Sequence, residues 1–320
     1  AGALEDPRLV KPTPLVRIPG GEFIMGTDDP KIPSDGESPA RPVRVSTFDM
    51  QQFEVSNRQF AAFVLETGYT TEAERFGWSF CFEGTLSKEV MASVEHQVEA
   101  VPWWVPVFGA DWWHPNGPDG DLAELGLLDH PVVHVSHADA KAFCKWMGMR
   151  LPREAEFERA SRGNLEQALF PWGNDLTPEG KHRANLWQGD FPAENLELDG
   201  YAYASPVDSF GPQNDFGVYN IIGNVWEWVL DAWSVRHHVR DPRTGDVLLD
   251  PQVELSLESM EDPSVERVKK GGSYMCHISY CYRYRTASRS HNTADSSAQN
   301  LGFRCVRELD ESDKQADLDA

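Results

Sequence analysis

The stretch Gly271-Gly272-Ser273-Tyr274-Met275-Cys276-His277-Ile278-Ser279-Tyr280-Cys281-Tyr282-Arg283-Tyr284-Arg285 carries more chemistry than the rest of the chain together. Its cysteines stand as C-x4-C, unlike the C-x2-C of redox and zinc motifs. Tyrosines, arginines and a histidine surround them, so neither thiol reads as core filler. The residues alone leave three chemistries open: a disulfide closing a short surface loop, a redox pair, or a two-sulfur site for a soft metal. His277, Arg283 and Arg285 would lower thiol pKa values and favour thiolates. A mononuclear zinc site usually takes four ligands, and no second C-x2-C is present.

Outward from this run, 320 residues with 40% hydrophobic content suffice for a sizeable core. Eleven tryptophans, 25 glycines and 22 prolines indicate a loop-rich fold with aromatic packing. The net charge is -22, and the stretch from Glu308 to Ala320 supplies only five of those charges. An acidic body repels nucleic acid and anionic membranes and suits cationic peptides or calcium; solubility is the plain alternative. No apolar run reaches the roughly 18 residues of a membrane span. Ala1-Gly2-Ala3 shows neither an initiator Met nor a signal pattern, as expected of a processed or trimmed chain. The economical division is a lead-in over 1–12, one α+β domain over 13–307 and an acidic tail over 308–320.

Leu15 to Thr27 reads as a hairpin turning at Pro19-Gly20-Gly21-Glu22, and Val43 to Phe53 as one strand. Ser56 and Gln59 form a capping box for a helix that buries Phe60, Phe63 and Val64 and stops at Gly68. A second helix starts near Ser136, with Ala140, Phe143, Cys144 and Met147 as its buried stripe and Gly148 at its end. A third follows Pro152, with acids in its first turn. The charged stretch from Arg236 to Pro263 reads as an exposed excursion.

Five cysteines leave at least one thiol unpaired. Cys81, between Phe80 and Phe82, reads as an inert buried thiol. Cys144 on a helix face and Cys305 in an alternating strand are either two buried free thiols or a bridge between distant elements. Asn220-Ile221-Ile222-Gly223-Asn224-Val225-Trp226-Glu227-Trp228 mixes hard oxygen donors with aromatics, as do Asn185-Leu186-Trp187 and Asp199-Gly200-Tyr201. Such loops hold calcium or are packed through hydrogen-bonded amides. Ser136, His137 and Asp139 are too close in sequence to meet as a catalytic triad.

The segment Lys269 to Cys305 closely resembles the formylglycine-generating enzymes, or sulfatase-modifying factors. The resemblance extends through Phe23-Ile24-Met25-Gly26-Thr27, Glu54-Val55-Ser56-Asn57, Pro102-Trp103-Trp104, Arg150-Leu151-Pro152, Pro171-Trp172-Gly173-Asn174 and Gly223-Asn224-Val225-Trp226-Glu227-Trp228, from about Leu15 to Arg307. It implies a single compact α+β domain with little regular secondary structure, related to C-type lectins. It implies oxidation of a cysteine in unfolded, newly made sulfatases, at a Cys-x-Pro-x-Arg motif, to Cα-formylglycine with O2. Cu(I) would be held by Cys276 and Cys281, with Ser273 beside the reacting oxygen. Structural Ca2+ would be held by Asn185, Leu186, Asp199 and Tyr201, and by Asn220, Gly223, Val225 and Glu227; Leu186, Tyr201, Gly223 and Val225 can ligate only through carbonyls. Cys144 and Cys305 match a disulfide of the family. Phe80, Trp103 and Tyr280 are groove candidates, because a proline ring packs well on aromatic faces. Ser79 is a candidate donor to the peptide backbone, and Trp78 a candidate contact for the substrate arginine.

Three departures qualify the likeness. Ser161 and Thr286 stand where many animal members carry a second disulfide. Trp78 replaces an expected acidic residue near the substrate arginine, as it does in a silent paralogue that lacks the cysteine pair. Arg153 replaces a capping threonine. The alternatives are a lectin-like sulfatase binder without catalysis and a non-haem iron oxidase forming C–S bonds, which needs a histidine facial triad. A monomer in the endoplasmic reticulum lumen is expected, or a cytoplasmic protein if the source is bacterial.

Overall fold

The computed structural model describes residues 13–94, 99–253 and 262–309. The lead-in read over 1–12 and residues 310–320 of the acidic tail lie outside them.

Helices form where the sequence satisfies their ends. Ser56 accepts from Gln59 N, and Gln59 accepts in return from Ser56 N, so α1 (Asn57–Thr67) begins there. Left-handed Gly68 closes it, at φ 66°. Thr71 and Glu74 cap α2 (Glu72–Phe76), Ser87 caps α3 (Lys88–Ala92), and Ser136 with Asp139 caps α4 (His137–Trp146). At α5 (Glu154–Arg162) the Arg153 side chain cannot cap, and Glu156 alone accepts from Arg153 N at 2.7 Å. The first-turn acids of α5 do more than answer the helix dipole. Burial raises the Glu154 pKa, but Arg289 and Lys270 outweigh it and hold the carboxyl at about 2. Phe143 of α4 packs on Phe60 and Phe63 of α1 and on Phe303, with centroids 5.4 to 5.8 Å apart.

The strands correct the sequence reading. The runs expected to pair as a hairpin, β1 (Leu15–Ile18) and β2 (Gly21–Met25), do not pair with each other. The single strand expected over Val43–Phe53 is two, β3 (Arg41–Val45) and β4 (Phe48–Gln51). β1 runs antiparallel to β4, and β2 to β3, as one long ribbon bent at Gly20 and at Ser46-Thr47. A Cβ on Gly20 would lie 2.6 Å from Thr47 N, so glycine alone permits this crossing of backbones. The bend hands the halves to different sheets. β5 (Trp78–Phe82) and β6 (Trp104–Phe108) form a separate antiparallel pair. The inner sheet contains β7 (Trp226–Ala232), β9 (Glu266–Lys270), β10 (Ser290–Thr293) and β11 (Leu301–Gly302), in the order β10-β9-β7-β11.

Two further strands complete the outer sheets. β8 (Leu248–Leu249), inside the expected excursion, returns to pair in parallel with β3. β12 (Val306–Glu308) joins β4, and Leu309 is buried, so the body continues past residue 307. Cys144 and Cys305 are joined as a disulfide with Cα atoms 5.6 Å apart, tying α4 to the segment entering β12. This is a single α+β domain of short strands and long loops. Among the described residues no helix is long and apolar enough to cross a membrane.

Candidate active site

The inner sheet presents the floor of a cavity of about 290 Å³. Trp226 comes from β7, Lys269 from β9, Ser290 and Asn292 from β10, and Asn300 from just before β11. Alternation in β9 separates its neighbouring lysines. Lys270 enters the core, where Glu158 lies 3.2 Å away, while Lys269 lines the cavity. The chain then turns at Gly271-Gly272, where φ is 94° and 75°, and arcs over the floor as the cysteine-bearing turn. Phe80 and Trp104 form the facing wall.

Cys276 and Cys281 meet sulfur to sulfur in this cavity, with Cα atoms 4.7 Å apart. They are joined as a disulfide and are 1% and 6% exposed, so the bridge left open by the sequence is present, but buried in the cavity wall rather than on the surface. Ser273 N–H points to Cys276 Sγ at 3.4 Å. Ser273 Oγ accepts from Asn300 Nδ2 at 2.9 Å and from Met275 N at 3.4 Å. Its acceptor capacity is thus occupied, and the hydroxyl hydrogen is left to donate. Burial, then the charge of Arg283, lowers the Lys269 pKa to about 7. Its ammonium lies 4.9 Å over the Trp226 ring and donates to Asn292 Oδ1.

The substrate candidates divide. Alternation along β5 turns Trp78 and Phe80 outward, their rings 5.1 Å apart edge to face. The same alternation turns Ser79 inward, where it is 1% exposed and bonded to His134 Nδ1 at 2.8 Å and to Ser297 Oγ at 2.7 Å. The Ser79 side chain is therefore not in the groove. Tyr280 stacks on Phe191 at 4.4 Å, and Trp103 meets both edge-on. Trp104, rather than Trp103, lines the cavity. The sequence reading missed Lys269, Asn292, Asn300, Trp104, Trp226 and Phe191. Period-two reading of β6 and β9 exposes Trp104 and Lys269; no local signal marks Phe191.

Both loops proposed for calcium brace the cysteine turn. Gly223 N–H donates to Gly271 O at 3.0 Å, Tyr274 N–H to Asn224 O at 2.8 Å, and Trp187 N–H to Cys276 O at 3.2 Å. In the first loop, Asp199 Oδ2 and Leu186 O converge on the Gln188 amide nitrogen, two hard oxygens sharing one point. Asn185 and Tyr201 flank them: Asn185 donates to Tyr203 O, and Tyr201 N donates to Asp199 Oδ1. In the second loop, Asn220 Oδ1 is buried without a partner, and Gly223, Val225 and Glu227 follow it in sequence. Glu227 is bidentate to Arg304, and Glu54 also faces that guanidinium. Burial pushes the Glu54 carboxyl up to about 8 against the pull of Arg304, and Glu227 adds to the rise. Two buried carboxylates facing one guanidinium, beside an orphaned amide oxygen, fit a bound cation.

Other expectations resolve simply. His137 Nε2 bonds to Val229 O, while Ser136 and Asp139 cap α4, so these three residues form no triad. Cys81 is a fully buried free thiol whose pKa burial pushes up. Ser161 is buried and Thr286 donates to Ala168 O. Among the described residues, no group of three or more His, Cys, Asp or Glu is arranged to hold a metal.

Small sheets supporting long loops define a class of fold that the chain shares with PvdO from Pseudomonas aeruginosa. That structure matches with a TM-score of 0.61 over 92% of this chain and 94% of that one, at 24% identity. This likeness is one of fold alone. Sequence takes the assignment further: residues 3–309 match the sulfatase-modifying factor enzyme 1-like domain, and the chain belongs to that family. Formylglycine-generating enzyme of Bos taurus is 53% identical over 306 residues, covering 95% of this chain and 77% of the relative. The enzyme of that name from Thermomonospora curvata is 50% identical, covering 91% and 92%. The inactive Cα-formylglycine-generating enzyme 2 of Bos taurus is 42% identical, covering 91% and 87%.

Proposed function

We propose that this chain is a copper-dependent oxidase that converts the cysteine of a Cys-x-Pro-x-Arg motif in newly made sulfatases to Cα-formylglycine, with O2 as co-substrate. The observation that carries this reading is the convergence of Cys276, Cys281 and Ser273 on one buried cavity. Its support in sequence is 50–53% identity to proteins named formylglycine-generating enzyme.

Cys276 and Cys281 would hold Cu(I), whose soft coordination and one-electron chemistry with oxygen they suit. The protein residues do the rest. Lys269, with Arg283 held beside it by an ion pair to Asp35, places positive charge at the cavity and favours thiolate over thiol once the pair is reduced. Phe80, Trp104 and Trp226 exclude bulk water from the reacting sulfur. Ser273, its lone pairs engaged by Asn300 and Met275, donates its hydroxyl hydrogen to an oxygen atom in the cavity. Trp78 and Phe80 offer aromatic faces to the substrate proline and arginine, with Trp103 and Tyr280 alongside. Ca2+ at the two loops would fix the turn through the hydrogen bonds that already join them. The Cys144–Cys305 bridge suits an oxidising compartment such as the endoplasmic reticulum lumen.

The test is mass spectrometry of a Cys-x-Pro-x-Arg peptide incubated with copper-loaded protein and oxygen. The expected product has CHO in place of CH2SH on the cysteine. An unchanged peptide, under conditions in which the bovine relative converts it, would refute the proposal.

A further inference from the structure

The ladder of β5 and β6 has an outer face that the cavity uses at one end only. Val105 and Val107 are buried beneath it, while Trp104, Pro106 and Phe108 of β6 stand outward with Trp78 and Phe80 of β5. Phe80 and Trp104 line the cavity. Phe108, at the far end, is 78% exposed, and among the described residues no large hydrophobic side chain is more exposed. It is not an isolated surface ring, because the register sets it opposite Trp78. Gly109 N–H donates to Gly77 O at 2.9 Å, which makes those glycines a hydrogen-bonded pair. Trp78 and Phe108 are then the adjacent non-hydrogen-bonded pair, in which side chains stand closest and Cα atoms are about 4.5 Å apart.

The spacing of this face matches the spacing of the motif. In Cys-x-Pro-x-Arg the proline and the arginine are two residues apart, so an extended peptide sets them about 6.6 Å apart on one face. Phe80 and Trp78 are likewise two residues apart on one face, with rings 5.1 Å apart. A peptide with its cysteine in the cavity and its proline on Phe80 therefore delivers its fifth motif residue to Trp78 and Phe108. Neither β5 nor β6 carries a charged residue, so that side chain meets two aromatic rings and no carboxylate of the ladder. A guanidinium stacks on such rings, and so does a neutral aromatic side chain.

We propose that Trp78 and Phe108 form a two-sided aromatic seat for the residue four positions after the target cysteine, and that this seat takes aromatic side chains as well as arginine. The substrate class thereby widens to Cys-x-Pro-x-aromatic peptides. The assignment rests on the reading of the cavity as a peptide-cysteine oxidase.

Three peptides test it, identical except for Arg, Tyr or Ala four residues after the cysteine. Binding is read by fluorescence anisotropy and turnover by mass spectrometry. Both are measured at about 0.5 M salt, which screens the long-range pull of a net charge of -22 on the cationic peptide. The Arg and Tyr peptides are expected to agree within about threefold in Kd and KM, with the Ala peptide about tenfold weaker and kcat equal for all three. In Phe108→Ser the advantage of Tyr over Ala falls to about threefold. In Phe108→Asp the seat gains a carboxylate, and Arg becomes about tenfold better than Tyr. Phe108 is exposed, and thermal unfolding checks that both variants fold. An Arg peptide more than threefold better than the Tyr peptide in the wild type overturns the assignment. So do equal constants for all three peptides, or a Tyr advantage that Phe108→Ser leaves intact. The expected order in Kd without turnover of any peptide overturns the oxidase reading and leaves the seat standing. Failure of all three to bind overturns both.

Discussion

At the scale of single residues, the two sulfurs carry the copper prediction and buried His137 carries a prediction about acid. Cys276→Ser and Cys281→Ser should each abolish turnover and lower Cu(I) binding from one equivalent to none, because one soft ligand does not replace two. Full activity in a rigorously copper-free preparation would show the copper assignment to be wrong. His137 is fully buried, and burial, reinforced by the charge of Arg267, pulls its pKa from 6.5 down to about 3. The folded protein keeps it neutral while the unfolded chain takes up a proton below pH 6.5. Its contribution to stability is thus complete above pH 6.5 and lost as pH falls toward 3. Asp139 and Asp231 work in the opposite sense, burial raising them to about 6 and about 7, so the wild type alone does not isolate the histidine. Between pH 7 and pH 4, His137→Gln should therefore gain about 3 kcal/mol relative to wild type in urea unfolding. A constant difference between the two proteins across that range would remove His137 from the account.

At the scale of elements, legibility followed locality. α1 was readable because Ser56 with Gln59 is a four-residue signal that the structure uses as written, and α4 because Ala140, Phe143 and Cys144 recur at helical spacing and are buried as that spacing requires. The ribbon was not, because β1 pairs with β4 and β2 with β3 across the intervening loop, and Pro19-Gly20 marks a bend rather than a hairpin turn. Ser79 failed for a different reason. It was grouped with Trp78 and Phe80 by proximity in sequence, whereas alternation in β5 puts it on the opposite face. The outward pair carries the next prediction. If the substrate arginine stacks on Trp78, the contact is a cation–π interaction of roughly 0.5–2 kcal/mol. Trp78→Ala should then raise KM with little change in kcat, the signature of uniform binding. Replacing the substrate arginine by alanine should do the same, and the two losses should not add. Additive losses in this double-mutant cycle would show that the two groups do not meet.

At the scale of the molecule, little regular structure holds the site, so connections distant in sequence must. The inner sheet gathers Trp226, Lys269, Asn292 and Asn300 from four separate strands or strand ends, which is why the cysteine turn was legible in sequence and its floor was not. The Cys144–Cys305 bond is the longest covalent link, with a sequence separation of 161. Hydrogen bonds support the same joint: Cys305 N donates to Gln51 Oε1 at 2.8 Å, and Gln51 N donates to Cys305 O at 3.0 Å. The bond acts mainly by limiting the unfolded chain, and for a loop of this length chain entropy sets an upper scale of about 5 kcal/mol. Cys144→Ala with Cys305→Ala should lower unfolding stability by about 2–5 kcal/mol. The affinity of the cysteine pair for Cu(I) should persist, because Ser273, the loops around Asn185 and Asn224 and the inner sheet hold the cysteine turn independently of that bond. The double variant should thus bind one Cu(I) below its melting transition and retain turnover at low temperature. Loss of copper binding while the protein is still folded by near-ultraviolet circular dichroism would mean that the distant bond positions the thiol pair. Unchanged stability would mean that the packing of Phe60, Phe143 and Phe303 alone holds α4 to the C-terminal segment.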